Sequence, residues 1–527
     1  MKKIFPRVAG LFLAFGMSLG ISAQNKTFTN PVYNSDSPDP SIQRAQDGTF
    51  YCYATNCQTR KSKDLVTWSN LGGVFSTPSW NGGGYAVWAT DVNYVDGQYL
   101  MYYALALWGN TSETGIGVAK GTSPEKFSDV GKMFRSKEIG VKNSIDACYV
   151  EEGDKKYLVW GSFHDIYISE LTEDGLQIKD FNKKTKIAGG AFEGAMIHKR
   201  GGYYYLFASV GSCCEGKNST YRTVVGRSTK LTGPYVNKQG GTMFDNNYTT
   251  IIRGNDIWAG PGHNSEIIVD DEGQTWFLYH SYDMNNGCNG RLMLLDKITW
   301  DKNGWPVVND GFPSSGEMDG PIFYSGNGAN VTYKAYNTDL SKSQWKGWDV
   351  VASEGSDVVS GKGTAFMPFG RVTNEGATFD ISQTVSNRIS DGLYEMKLNG
   401  FDTGHSANAF SYELMCQGKE KLEYYIGKVA TPVLCPADNG STAPTSDALV
   451  SNNFLNGRLG QSVYGLVVGG KLTFGMRTKQ PLTTIDGKPE RFCVGNINLI
   501  YRDKLATADS TALASVLNSY YAMVEDY

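Results

Sequence analysis

Five polar residues recur at comparable places along the first three hundred residues of this chain: Asp39, Asp91, Asp146, Glu193 and His263. Each stands at the start of a short run that leads into a glycine-containing turn and then a strand crowded with aromatic side chains. A set with at least two carboxylates and no Ser-His-Asp or thiol arrangement suits the breaking of glycosidic bonds. In that chemistry one carboxylic acid protonates the leaving oxygen while another carboxylate handles water or the sugar.

The surroundings of the three best-framed acids divide the work. Asp39 lies between Pro38 and Pro40 in SPDPS, a rigid turn that aims a carboxylate while leaving it free to ionise and act as a base. Glu193 follows Phe192 and precedes Gly194 in AFEGAMI. An apolar neighbour disfavours ionisation and raises the pKa, as a general acid requires. Asp146, in NSIDAC, can tune that acid if its own charge lies near. Taken singly, an Asp beside a turn is a cap; recurrence at matching positions is what gives the set its meaning.

The elements that must position these residues follow from the repeat. The turn and strand occur at Gly48 with Phe50 to Tyr53, Gly97 with Tyr99 to Tyr103, Gly153 with Tyr157 to Trp160, Gly201 with Tyr203 to Phe207, and Gly273 with Trp276 to Tyr279. Unequal spacing with short aromatic strands predicts an all-β fold, a five-bladed β-propeller over residues 30–316. In a propeller the innermost strands share one sense around a central channel, so their equivalent ends meet at one mouth.

Bulk properties agree. The chain has 527 residues, 40% hydrophobic and 19% charged, with 31 Tyr, 11 Trp and 62 Gly, which excludes disorder and favours short strands, tight turns and sugar-stacking surfaces. A net charge of -4 without a basic block gives no footprint for nucleic acid. Lys2, Lys3 and Arg7, an apolar run from Ala9 to Ile21, and small residues at Ser22 and Ala23 predict a signal peptide over residues 1–23 and export to a periplasm or the medium. No later stretch is long enough to span a bilayer. Nine cysteines without metal-site spacing are read as buried thiols, with no disulfide framework expected.

The segments SPDPSI at Ser37, SKDLVTW at Ser62, WATDV at Trp88, SIDA at Ser144, GSF at Gly161, FEGAMIHKRGGYYYLFAS at Phe192, SCCEGKNSTY at Ser212, VGRS at Val225, GPGHNS at Gly260 and GRLMLLDKITWDKNGWP at Gly290 carry a resemblance. From about Asn30 to Asp310 the chain resembles glycoside hydrolase family 43, and within it the endo-α-1,5-L-arabinanases. The resemblance implies a five-bladed propeller and hydrolysis of arabinan or arabino-oligosaccharides by inversion, with Asp39 as base, Glu193 as acid and Asp146 as pKa modulator. It further implies that His263 helps hold a calcium ion near the axis, largely through water. Trp88, Gly109, Asn143, Ser162 and Phe163 then line the sugar groove with Asp91, and Arg291 faces the acids. Thr90 and Ala147 stand where the family often has Pro, loop changes that bear on linkage and branch preference. An exo-acting α-L-arabinofuranosidase or β-xylosidase, or a non-catalytic arabinan-binding propeller, would share most of these features.

After Gly316 the aromatic repeat stops and SGNGAN, ending at Asn330, reads as a linker. Short strands such as Leu393–Leu398, Lys471–Arg477 and Ile497–Tyr501 predict a C-terminal β-sandwich over residues 331–505. Trp345, Trp348, Tyr424 and Tyr425 offer either core or a sugar-binding face. Residues 509–527 carry the cap and spacing of a terminal helix. The protein is expected to be a monomer without an organic cofactor.

Overall fold

A computed structural model describes residues 26–80, 82–404, 422–436, 442–485 and 487–504. The expected signal peptide, the terminal helix and Cys416 lie outside the described residues.

The fold is all-β. Four sheets of four antiparallel strands and a fifth of five follow one another along the chain. The first holds Ser41–Arg44, Phe50–Ala54, Gln58–Ser62 and Ser69–Gly73. The second holds Ala86–Val95, Gln98–Ala106, Gly115–Ser123 and Lys126–Arg135. Cys148–Glu152, Lys155–Trp160, Ile166–Glu170 and Thr185–Ala188 form the third, and Glu193–Arg200, Tyr203–Val210, Arg222–Ser228 and Thr249–Ile252 the fourth. In the fifth, Trp258–Gly262, Thr275–Asp283, Leu292–Trp300 and Pro306–Val307 are joined by the short strand Ile268–Val269. The aromatic runs of the sequence are the second strand of each sheet, or its counterpart Thr275–Asp283 in the fifth, and they are almost wholly buried.

The burial explains the aromatic content. Tyr53 and Tyr103 join the first sheet to the second, Tyr102 and Trp160 the second to the third, and Phe207, Tyr279 and Ile168 unite the third, fourth and fifth. Phe50 and Cys52 of the first sheet then pack with Trp276 and Leu278 of the fifth. Large flat side chains fill wedge-shaped gaps between twisted sheets with few rotamers lost. The amino-terminal segment adds to the contact between first and fifth sheets: Asn30 bonds Leu295 and Ser314, and Thr27–Phe28 pairs with Met318–Asp319.

Two five-stranded antiparallel sheets cover residues 349–503. One contains Phe379–Val385, Leu472–Thr478 and Leu422–Ile426; the other contains Met367–Thr373, Gly392–Asp402 and Arg491–Asp503. Both contribute to one apolar cluster. Trp345, Trp348, Tyr424 and Tyr425 belong to the buried set, so they are core and give no sugar-binding face. The SGNGAN segment expected to be a linker bonds the later sheets, Gly328 N–H donating to Tyr501 O at 2.8 Å, and just before it Ile322 and Tyr324 donate backbone bonds to Asp270 and Asp271. Beyond it, Tyr336 bonds Asp96 at 3.0 Å, Arg388 pairs with Asp47 at 2.8 Å, and Lys342 bonds Glu151, so polar contacts join the C-terminal part to the first three sheets. Cys213 and Cys214 are joined in a disulfide, contrary to the expectation of thiols. Cys52, Cys57, Cys148, Cys288 and Cys493 are free thiols, and all of these but Cys288 are buried.

Candidate active site

Three of the five recurring residues adopt a left-handed backbone: Asp39 and Asp146 at φ 57° and His263 at φ 48°. Such conformations are uncommon for residues with a Cβ and are kept where surrounding structure over-determines them. Asp39 and Asp146 lie two residues ahead of strands Ser41–Arg44 and Cys148–Glu152, and His263 directly follows Trp258–Gly262. Glu193 reaches the same region by another device. It opens its strand, and the register slips between Glu193 and Met196, a bulge of the kind that re-aims side chains at sites. Gly194, at φ 56°, lets the chain pass the His263 ring, where a Cβ would come within 3.0 Å.

Asp39 is gripped from several sides. Its Oδ1 lies 3.2 Å from Arg291 Nη1, 3.3 Å from His263 Nδ1 and 3.4 Å from His280 Nδ1, and Thr55 Oγ1 donates to Oδ2 at 2.6 Å. Burial would push this carboxyl up, but the Arg291 guanidinium and the Thr55 hydroxyl outweigh it and hold Asp39 well below the usual carboxylate range.

Glu193 is treated oppositely. Ser162 Oγ donates to its Oε2 at 2.7 Å. Burial nevertheless raises it to about 7, against the Ser162 and Tyr221 hydroxyls and with a further push from the Asp39 charge. Asp146 accepts the Gly194 N–H at 3.0 Å and is also raised, by burial first and then by Glu193 and Asp39. The site thus sets one ionised carboxylate beside a buried pair of carboxyls that retains a proton near neutrality. That division is the one glycoside hydrolysis needs.

Of the expected groove residues, Asn143 donates to Ser162 Oγ at 2.9 Å and so orients the hydroxyl that meets Glu193. Phe163 is 38% exposed, which leaves its ring free for a sugar face. Trp88 meets the exposed Trp108 with centroids 5.9 Å apart, and Gly109 follows at φ 81°. Arg291 joins the cluster through Asp39. Asp91 does not. It sits inside strand Ala86–Val95, buried, and accepts Tyr149 N at 2.6 Å and Asn93 Nδ2 at 2.8 Å. With Glu266, which accepts from Ser41 and Ile42, it braces the first, second, third and fifth sheets.

Calcium favours oxygen ligands, and among the described residues no three His, Cys, Asp or Glu side chains come together as a metal cage. His263 is kept neutral by burial, and the adjoining Asn264 has a buried Oδ1 without a hydrogen-bond partner. An imidazole nitrogen of His263 and the amide oxygen of Asn264 are the donors this pair could offer a cation, the rest of its shell being water.

A family model described as glycosyl hydrolases family 43 matches residues 28–306, the span that holds the five sheets and the whole carboxyl cluster. This chain belongs to glycosyl hydrolase family 43. An extracellular endo-α-(1→5)-L-arabinanase of Bacillus subtilis is 34% identical over 277 residues, 49% of this chain and 82% of that protein. An extracellular exo-α-(1→5)-L-arabinofuranosidase of Cellvibrio japonicus is 32% identical over 310 residues, 52% of this chain and 87% of that protein. The solved α-L-arabinanase of Cellvibrio cellulosa is 28% identical, covers 53% of this chain and 96% of its own, and superposes with a TM-score of 0.50.

Within this family-43 hydrolase, four residues of the site region carry little or no signal in the sequence. Thr55 and His280 contact Asp39, Tyr221 faces Glu193, and Trp108 is a 73% exposed indole beside Trp88. Trp108 has a local signal, a large aromatic in the turn LWGNTS, and Tyr221 closes the quoted segment SCCEGKNSTY; Thr55 and His280 have none.

Proposed function

We propose that the protein is an exported, monomeric hydrolase that cleaves internal α-1,5-L-arabinofuranosidic bonds of arabinan by single displacement. The observation that carries this reading is the opposed electrostatics of Asp39 and Glu193, in a chain whose relatives include arabinanases. Asp39 takes the proton of the attacking water, Glu193 gives its proton to the departing sugar oxygen, and Asp146 keeps Glu193 protonated. Arg291 keeps Asp39 ionised. Trp88, Trp108 and Phe163 stack on furanose rings, while Asn143 and Ser162 set the acid's direction. The ring-like order of sheet contacts supports a five-bladed propeller, and the shared core of the two later sheets supports a β-sandwich. Calcium bound through His263 and water would supply structural positive charge near the axis.

The Cellvibrio japonicus relative favours a second reading, exo action on the same fold. Hydrolysis of linear arabinan, branched arabinan and xylan, with products resolved by size, decides between them. Arabino-oligosaccharides appearing first from linear arabinan are the expected result; arabinose alone would establish exo action, and no cleavage of any arabinan would remove the hydrolase reading. The same assay after chelation reads the ion's part: a loss of rate or thermal stability restored by added calcium, and absent from His263→Ala, is expected, and indifference to chelation would rule the ion out.

A further inference from the structure

The base and acid proposed above lie on sheets that are not neighbours in the ring order, Asp39 ahead of the first and Glu193 at the start of the fourth. The fifth sheet stands between them, and it contributes His280 from strand Thr275–Asp283. His280 is fully buried. Its Nδ1 accepts the backbone N–H of Asp39 at 3.1 Å, an assignment that puts the ring proton on Nε2, which is buried without a hydrogen-bond partner. That bond holds the left-handed Asp39 by its main chain, while Nδ1 also lies 3.4 Å from the carboxylate Oδ1.

The His280 ring lies parallel to that of Tyr221, with centroids 5.7 Å apart and planes 9° apart. Tyr221 is 1% exposed and immediately precedes strand Arg222–Ser228 of the fourth sheet. Gly262 makes room for it: a Cβ there would lie 2.3 Å from Tyr221 Cδ1. The Tyr221 hydroxyl faces the Glu193 carboxyl and the Ser209 hydroxyl, without a hydrogen bond of normal geometry to either.

We propose that His280 and Tyr221 are positioning residues whose stacked rings fix the Asp39 and Glu193 carboxyls relative to one another, His280 through the Asp39 main chain and Tyr221 through its hydroxyl. The inference rests on the proposed roles of Asp39 and Glu193. Misplacing a reacting group by 1 Å can cost about 100-fold in rate, and neither residue needs to touch the sugar to exert that effect.

Three variants separate the parts. His280→Phe keeps a ring in the stack but leaves Asp39 N–H buried without an acceptor. His280→Asn restores an acceptor near the Nδ1 position without the ring. Tyr221→Phe keeps the ring and deletes the hydroxyl. Each is assayed on linear arabinan and on aryl arabino-oligosaccharides with either an alkylphenolate or a nitrophenolate leaving group, with thermal melting as a check on folding. His280→Phe should lower kcat about 100-fold on all substrates with KM within about threefold, and His280→Asn should recover about tenfold of that loss. Tyr221→Phe should lower kcat about tenfold where the leaving group needs a proton and less than about threefold for nitrophenolate, which departs unaided. A purely structural role cannot produce that dependence on leaving group. A folded His280→Phe with kcat within about threefold of wild type, or a Tyr221→Phe that loses equally on both aryl substrates, overturns the proposal; if His280→Phe does not fold, Tyr221→Phe decides. Wild type inactive on every arabinose substrate would instead defeat the functional reading beneath it.

Discussion

Glu193→Gln is expected to lower kcat on linear arabinan by about 1,000-fold, within the span that general acid catalysis supplies. Glutamine keeps the volume and can still accept from Ser162, but it has no proton of suitable acidity for the departing sugar oxygen. The loss should shrink to about tenfold on a nitrophenyl arabinoside. The pH profile gives the same test another form. Glu193 must be protonated to act and titrates at about 7, so wild-type kcat/KM should fall as pH rises through about 7. Asp39 must be ionised and is held well below the ordinary range, so the acidic limb should lie below about pH 4. In Glu193→Gln the limb near 7 should vanish. Retention of that limb would assign it to another group, Asp146 being the first to examine.

Asp39→Asn should be at least as damaging, with a fall of about 1,000- to 10,000-fold on arabinan. The amide still fills the space beside Arg291 and leaves the backbone bond to His280 intact, so folding should be preserved while the attacking water loses its base. Azide needs no deprotonation. Added azide should therefore restore turnover to Asp39→Asn with an arabinosyl azide as product, and should do nothing for Glu193→Gln on an unactivated substrate. A variant that keeps more than about a tenth of wild-type activity without azide would show that Asp39 is not the base.

Much of this was legible in the sequence because the signals are local. A glycine turn followed by alternating Tyr, Leu and Phe specifies a buried hairpin strand wherever it occurs, and all five occurrences fold that way. SPDPS, SIDA and FEG mark left-handed turns or a bulge beside a carboxyl, and those irregularities gather the acids. The misses share one cause: they depend on which sheet meets which in three dimensions. His280 reads in LYHSYD as one more inward residue of a buried strand, and nothing near it in the chain announces that its imidazole receives the Asp39 N–H. Tyr221 closes the SCCEGKNSTY segment that carries the resemblance, but nothing there places its ring on His280 or its hydroxyl toward Glu193. Asp91 looks like its counterparts in sequence, yet it lies within a long strand, where its carboxylate meets Tyr149 N and Asn93. In the C-terminal part, Trp345 and Tyr424 have the composition of a sugar platform, and only the second sheet packed over them makes them core.

The configuration of the first sugar released tests the assignment of the two carboxyls most directly. Proton NMR followed from the first minute of linear arabinan hydrolysis distinguishes the anomers before mutarotation mixes them. Single displacement by water, activated by Asp39 against a bond protonated by Glu193, predicts that the new reducing end appears first as the β-anomer. First appearance of the α-anomer would mean a covalent intermediate and two displacements, and would contradict the roles of Asp39 as base and Glu193 as acid.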